Sequence, residues 1–194
     1  MKKPTQIFLL FFFLLVFLII FIVAFWSIFP QPKANKIEYN NFEFIRKQGH
    51  WEFDWQQGNT VYTIPLGFNP KQLEDVPIRG TLNESFNRPE VYLTFDPEEG
   101  NFSVLALAAT EVSLNLVRAL NVLPIASCIK NVTGVCDDRP IVTCEDNNKS
   151  VILLNDKGKA GIILKGDCIV LNGANFDLLK SIDRILYQWY GVMS

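Results

Sequence analysis

The spacing of apolar positions divides the chain near residue 30. Residues 7–29 read IFLLFFFLLVFLIIFIVAFWSIF, with Ser27 as the only polar residue and no charged one. As a helix this run would be about 35 Å long, which exceeds the roughly 30 Å hydrocarbon core of a bilayer. Pro30 and Pro32 follow, and proline cannot continue a helix. The pattern predicts a short tail over residues 1–6 and a transmembrane signal-anchor helix over 7–29 that binds the lipid bilayer.

A cleaved secretory signal is the alternative to this anchor. Lys2 and Lys3 form the charged start that such signals have, and Ala24 offers a small residue before a cut. The apolar core of a signal is normally about 7–15 residues, however, and this run is far longer. We therefore prefer the anchor, followed by a polar tether over residues 30–37 and a globular domain over 38–194.

Aromatic and polar residues alternate near the start of the predicted domain. The segment HWEFDW alternates aromatic and polar residues, so Trp51, Phe53 and Trp55 share one side. This alternation is typical of a strand with one buried face, although the aromatic side could also serve as a recognition surface. Glycines at positions 49 and 58 mark the reversals to the neighbouring strands. We predict an antiparallel meander with the aromatic residues in the core.

Helical periodicity appears in two later segments. Residues 102–121 carry an apolar stripe, and their opposite side is so thinly polar that we expect the helix to be covered on most sides. Just before it, Asp96–Glu99 has the cap residue, early proline and acids that favour the first turn of a helix. A closing helix is predicted from Asn175, as its N-cap, to a stop at Gly191.

The second half of the chain otherwise has the pattern of strands. Its apolar runs include RPIVTCE over residues 139–145, and Asn155–Gly158 resembles the turn of a hairpin between two later strands. Hairpins favour a mixed sheet, although parallel pairing across the first helix stays open. The predicted class is α+β: an N-terminal transmembrane helix followed by one domain with a mixed, largely antiparallel sheet and two main helices.

The four cysteines are the most chemically informative residues. They lack the close pairs of zinc sites and the C-x-x-C of redox sites. An even number fits disulfides in an oxidising compartment, while free thiols and a metal site are the alternatives. Three pairings are possible; the short loop suggests Cys128–Cys136, which leaves Cys144–Cys168.

The predicted side of the membrane rests on mixed signals. Basic residues flank the apolar run on both sides, which does not by itself place the domain outside. The cysteines and four Asn-x-Ser/Thr sequons favour an extracytoplasmic domain. The glycosylation candidates are Asn83, Asn101, Asn131 and Asn148.

No set of catalytic, cofactor-binding or metal-binding residues emerges from the sequence. The single histidine, His50, has no nucleophile motif nearby, and neither G-x-S-x-G nor a glycine-rich phosphate-binding motif occurs. We therefore expect no catalytic residues, cofactor or metal, and interpret His50 as a surface or capping residue.

Two groups of acids have alternative interpretations. Asp96, Glu98 and Glu99 could bind a divalent cation together with Glu111, but acids at a helix start are the preferred interpretation. Asp183-Arg184 could be a functional pair, but a solvated or helix-packing ion pair is preferred.

The charge balance argues against nucleic acid as a partner. Beyond residue 29 the chain has sixteen basic and twenty acidic residues, and no basic run with interleaved aromatics.

Four segments together carry a resemblance. They are the N-terminal anchor, VYLTFDPEEGNFSVLALAATEVSLNLVRAL, CIVLNG and DRILYQWYGVM. This combination resembles an uncharacterised family of short single-pass membrane-anchored archaeal proteins. The resemblance implies localisation and architecture, and no activity.

These observations favour a non-catalytic role. We expect a membrane-anchored extracytoplasmic domain that contacts another envelope protein or a second copy of itself, or that is structural in the envelope. The alternative is a membrane-tethered hydrolase whose site is built from scattered acidic residues.

Overall fold

The computed structural model describes residues 12–21, 36–132 and 134–194. The chain divides into two compact units, Met1–Asn35 and Lys36–Ser194. In the first unit residues 12–21 form a helix, α1. No helix of the described residues combines the length and the apolar character needed to cross a membrane.

Much of the predicted N-terminal region lies outside the residues that the structure describes. This holds for the tail, for residues 7–11 and 22–29 of the predicted anchor, and for residues 30–35 of the tether. Lys36 and Ile37, predicted as the end of the tether, instead begin the first strand of the second unit.

The second unit begins with a four-stranded antiparallel sheet. Its strands follow one another in space as in the chain: β1 (Lys36–Tyr39), β2 (Phe42–Lys47), β3 (His50–Gln57) and β4 (Thr60–Leu66). Two-residue turns connect them, and the first turn has positive φ at both Asn40 and Asn41, a backbone that matches the twist of a hairpin. The predicted meander is confirmed, with Trp51 and Phe53 buried on its inner face, whereas Trp55 is only partly buried.

A second sheet of six strands forms the other wall of the domain. It contains β5 (Ile78–Leu82), β6 (Glu90–Phe95), β7 (Leu123–Cys128), β8 (Val151–Asn155), β9 (Gly161–Gly166) and β10 (Cys168–Asn172), in the order β5-β9-β10-β8-β6-β7. Only β9 and β10 pair antiparallel, and the other four pairings are parallel. The α+β class with mixed pairing is confirmed, but the strands form two sheets where one was predicted.

The predicted hairpin at Asn155–Gly158 is wrong. Strands β8 and β9 are not neighbours, because β10 lies between them and pairs with both. The hairpin of this region joins β9 to β10 instead. The turn residues at Asn155–Gly158 could not indicate this pairing, because β10 follows both strands in the sequence. The predicted strand over residues 139–145 is also absent, apart from one isolated bridge between Cys128 and Ile141.

Two long helices complete the domain, α2 (Phe102–Arg118) and α3 (Phe176–Trp189). They pack against each other, α2 also contacts β7 and α3 contacts β10. The aromatic rings of β2 and β3 pack on α3 from the other side, with Phe44 and Phe53 against Tyr187. Helix α3 therefore lies between the two sheets, which explains why nine of its fourteen residues are buried.

Helix α2 begins at residue 102, as predicted, and ends at Arg118, before the predicted end at residue 121, but the helical turn predicted at Asp96–Glu99 is wrong. Asp96–Glu99 precedes the helix in a turn, and Asn101 is the N-cap, with its side chain accepting a hydrogen bond from Ser103 N at 3.0 Å. Asp96 accepts from Glu98 N at 3.0 Å, so its carboxylate stabilises the turn rather than the helix.

One carboxylate joins the N-terminal ends of both helices. Asp156 Oδ2 accepts from Asn101 N and Asp156 Oδ1 accepts from Asn175 N, both at 2.6 Å. Gly100 lies so close that a Cβ there would be 2.8 Å from the Cβ of Asp156. Because helix N-termini carry partial positive charge, one negative group can stabilise both ends at once.

We expect Asp156→Ala to lower the free energy of unfolding by about 2–3 kcal/mol, since two charge-assisted hydrogen bonds are lost. Asp156→Asn keeps one acceptor and should cost about half as much. Chemical denaturation of the full chain in detergent would measure both. The control is Asp177→Ala, which removes an exposed ion pair with Lys180 and should cost at most about 1 kcal/mol. Equal losses for Asp156→Ala and Asp177→Ala would contradict the role given to Asp156.

Both predicted disulfides are present. Cys128 pairs with Cys136, and Cys144 pairs with Cys168. The second bridge ties the long segment between β7 and β8 to the first residue of β10. There Val142 packs against Val151 on the sheet face that lies away from the helices.

Candidate functional site

Helix α2 is buried on one side only. Its inner side contributes Leu105, Ala108, Val112, Asn115 and Leu116 to the buried residues. The expectation that this helix is covered on most sides is therefore wrong for the described structure.

The opposite side of α2, here called the outer face, consists of Ala106, Leu107, Thr110, Leu114 and Val117. All five residues are exposed, and Leu107, Leu114 and Val117 keep 49%, 51% and 52% of their surface accessible. No residue of the outer face is charged. An apolar stripe on the solvent side of a helix is unusual, because such a stripe normally faces the core.

A groove runs along each flank of this helix. The first groove, of about 610 Å³, lies between α2 and β4 and is lined by His50, Glu111 and Arg118 as well as by apolar side chains. The second groove, of about 360 Å³, lies between α2 and β7, with small residues such as Ala106 and Ser113 on its helix side. The outer face is thus a ridge between two grooves.

A pair of carboxyl groups lies where the first groove meets the core. Glu111 of α2 borders the groove and is partly exposed, while Asp183 of α3 is fully buried. Phe68 N donates to Asp183 Oδ2 at 2.7 Å. Asp183 Oδ1 is buried and receives no hydrogen bond from an N–H group of the described residues. The carboxyl group of Glu111 is the neighbour of Asp183.

Burial controls the acidity of this pair. It raises the pKa of Glu111, and it raises the pKa of Asp183 well above the ordinary value of an aspartate. The negative charge of Glu111 adds to the rise at Asp183, while the backbone N–H groups of Phe68 and Gly67 act in the opposite direction. Burial also raises the pKa of Tyr187, and the charges of the two acids contribute further.

The expected ion pair between Asp183 and Arg184 is absent. Adjacent residues of a helix point in different directions, and Arg184 Nη2 donates to Ser194 O at 2.6 Å. Burial lowers the pKa of Arg184. Asp183 instead faces Glu111, 72 positions earlier in the chain.

The other predicted acids do not converge with Glu111. Asp96 and Glu98 both bind Lys130, and Glu99 binds Lys157. Hydrogen bonding to Glu98 raises the pKa of Lys130. In the described part of the chain no group of three or more His, Cys, Asp or Glu residues is placed to hold a metal ion.

The remaining predicted residues lie apart from the carboxyl pair or at its edge. His50 borders the first groove and forms a hydrogen bond with Glu52 Oε1 at 2.9 Å. The four sequon residues are all exposed: Asn83, Asn101, Asn131 and Asn148. Their glycosylation stays a prediction, and the side chain of Asn101 already caps α2.

The sequence did contain a signal for the carboxyl pair. Glu111 is the only charged residue between positions 102 and 117, and Asp183 follows Ile182 on the apolar side of its helix. An isolated acid among apolar neighbours indicates burial, yet nothing in the pattern shows that these two acids meet.

Comparison of the chain with protein-family models, with curated proteins and with solved structures finds no match. The family resemblance expected from the sequence therefore stays a prediction.

Proposed function

We propose that this chain is a membrane-anchored extracytoplasmic domain that associates with a second copy of itself and has no catalytic role. The observation that carries the proposal is the outer face of α2, an uncharged and largely apolar surface in solvent. Exposed apolar stripes of this kind are typical of protein contacts, because leaving them in water costs free energy that a partner recovers.

Two features support the location. The two disulfides indicate an oxidising compartment, since cytosolic thiols are kept reduced. The uncharged run over residues 7–29 is long enough to anchor the chain in a bilayer. An anchor also confines copies of the domain to one surface, which raises their effective concentration and favours association through a modest interface.

The shape of the outer face supports a second copy as the partner. A two-fold symmetric contact requires that one patch complement itself. Leu107 and Leu114 form a ridge, and the second groove beside them has small residues on its helix side. The ridge of one copy can therefore enter the groove of the other, and the reverse contact follows by symmetry.

The charges at the two ends of α2 favour an antiparallel arrangement. Arg118, at the C-terminal end, is exposed and forms no ion pair with any described residue. Glu98 and Glu99 precede the N-terminal end and are also exposed. Antiparallel helices would bring Arg118 of one copy beside the acids of the other, and the two helix dipoles would attract.

We expect Leu114→Lys to weaken self-association by about 30-fold or more, because a lysine would be buried unpaired at the centre of the contact. Light scattering and analytical ultracentrifugation of the full chain in detergent would measure the dimer fraction. The matched control is Ile163→Lys, an equally exposed apolar residue on β9. The wild type and the control should dimerise alike.

Two outcomes would contradict this proposal. One is a wild-type chain that stays monomeric at concentrations of about 100 µM, where micromolar affinities are easily seen. The other is an unchanged dimer in Leu114→Lys. If the chain is monomeric but a crosslinker at position 114 repeatedly captures one envelope protein, the partner is that protein and not a second copy.

A membrane-tethered hydrolase is the second candidate. The observation that favours it is the carboxyl group of Glu111, which borders a groove of about 610 Å³ and has a raised pKa. Hydrolysis of peptide, ester or glycoside substrates by the wild type, with loss of that activity in Glu111→Gln, would favour this candidate over the first.

A further inference from the structure

Glu111 and Asp183 occupy the place where three elements meet. Glu111 comes from α2, Asp183 from α3, and the backbone at Gly67 and Phe68 directly follows β4. The Phe68 amide donates to Asp183 Oδ2 at 2.7 Å, and a Cβ at Gly67 would be 3.5 Å from the same oxygen. Tyr187 of α3 reinforces the junction, because its hydroxyl donates to Phe68 O at 2.7 Å.

One oxygen of the Asp183 carboxyl group has no N–H donor among the described residues. Asp183 Oδ1 is buried and no N–H group reaches it, whereas the carboxyl group of Glu111 lies beside it. Two carboxylate oxygens only accept hydrogen bonds and repel each other when both are ionised. A hydrogen bond between them forms only if a proton lies on one of the two groups.

No neighbouring cation replaces that proton. His50 on β3 and Arg118 on α2 line the first groove together with Glu111, and Tyr187 on α3 interacts with both acids. The other such groups on α3 or at its end are Lys180, which lies over the Phe68 ring, Arg184 and Tyr190. Arg184 binds Ser194 O, His50 binds Glu52, and Tyr190 donates to Asn115. Among the described residues, no salt bridge involves Glu111 or Asp183.

We infer that Glu111 and Asp183 share one proton and act as a pH-sensitive latch that fastens the end of β4 to α2 and α3. With the proton in place, Asp183 donates through Oδ1 to Glu111 while its Oδ2 accepts from Phe68 N. Loss of the proton leaves two adjacent negative charges in a buried site, so the end of β4 separates from the helices and the first groove opens. This inference is independent of the proposed self-association.

The direction of the pH effect follows from the raised pKa values of both acids. Between the ordinary carboxyl pKa, near about 4, and the raised values, the folded chain holds a proton that the unfolded chain has released. The contribution of the pair to stability is therefore complete below that range. It decreases as the pH rises through it, which is opposite to the behaviour of an ordinary salt-bridged carboxylate.

Asp183→Asn is the variant that tests the latch. The amide oxygen can still accept from Phe68 N, and the amide NH₂ donates to Glu111 at every pH. In the wild-type chain, hydrogen–deuterium exchange of residues 61–68, corrected for intrinsic rates, should become at least about tenfold faster between about pH 5 and about pH 8. In Asp183→Asn it should change less than about twofold. Asp177→Asn, a partly exposed acid on the same helix that is paired with Lys180, should behave like the wild type.

A second variant and a second measurement complete the test. Glu111→Gln places the amide donor on the other side of the pair and should also remove the pH dependence, whether or not Asp183→Asn folds. Infrared difference spectra of the wild type between about pH 5 and about pH 8 should contain the loss of a protonated-carboxyl band that neither variant shows. Wild-type exchange that does not respond to pH, or variants that keep the full response, would overturn the inference. Neither measurement depends on the oligomeric state.

Discussion

Replacing Cys144 and Cys168 together with alanine is expected to lower the free energy of unfolding by about 3–4 kcal/mol. This bridge spans 24 positions, so its removal frees a long loop in the unfolded chain. In the chain-entropy model the cost grows with the length of the closed loop. Alanine is preferable to serine here, because residue 168 is buried and a serine hydroxyl would lack a partner.

The folded state should lose little of its architecture in this double variant. The segment between β7 and β8 is also held by backbone bonds, since Val142 N donates to Cys128 O at 2.9 Å. Thr94 Oγ1 donates to Val142 O at 2.8 Å from the sheet itself. These contacts hold the segment at Val142 even when the second bridge is absent. The variant should therefore unfold cooperatively but at lower denaturant concentration.

The other bridge provides the matched comparison. Cys128 and Cys136 are only 8 positions apart, so their double alanine variant should lose about 2.5–3 kcal/mol, less than the first. Denaturant unfolding of the full chain in detergent, with and without reductant, measures both. Two results would contradict stabilisation by loop closure. One is a larger loss of unfolding free energy on removing the short bridge than on removing the long one. The other is a wild-type denaturant midpoint that reductant leaves unchanged.

Local patterns were sufficient for the elements that depend on near neighbours. The alternation around Trp51 and Phe53 predicted both the strand and its buried side, because successive side chains of a strand point to opposite faces. The cysteine pairing was also predictable, since a short loop favours contact between its ends.

Features that depend on distant segments were not predictable in the same way. Strand β10 lies between β8 and β9 in the sheet. The residues of the turn at Asn155–Gly158 do not indicate that a later strand separates the two. The meeting of Glu111 with Asp183 likewise requires α2 and α3 to be placed side by side. Amphipathic patterns fix which side of each helix is buried, but they leave open which residues of two buried sides touch.

The outer face of α2 shows a different limit. The sequence correctly indicated a helix with few polar residues, and the natural expectation was a covered helix. The structure leaves Leu107 and Leu114 in solvent, and this exposure is the observation on which the proposed self-association rests.

Replacing Phe53 with alanine is expected to lower the free energy of unfolding by about 3–5 kcal/mol, the largest effect of any single substitution considered. Phe53 is only 2% exposed and lies at the centre of the contact between the first sheet and α3. Its ring centroid is 5.1 Å from that of Phe44, and 5.6 Å from those of Tyr187 and Tyr190. Truncation removes these contacts and leaves a cavity that three large rings cannot fill without leaving their own positions.

Because of its location, this cavity should weaken the packing of the first sheet on α3 before it affects the rest of the domain. The four strands of the first sheet pair only with one another, so the docking of that sheet depends on side chains such as Phe53 and Phe44 against α3. The ring centroid of Trp55 is 5.0 Å from that of Tyr190, so loss of this contact should change the share of the tryptophan fluorescence that Trp55 contributes. Phe176→Ala removes the same side chain from a 66% exposed position and should cost less than about 0.5 kcal/mol. If the two alanine variants unfold at similar denaturant concentrations, aromatic packing on α3 is not what joins the first sheet to the rest of the domain.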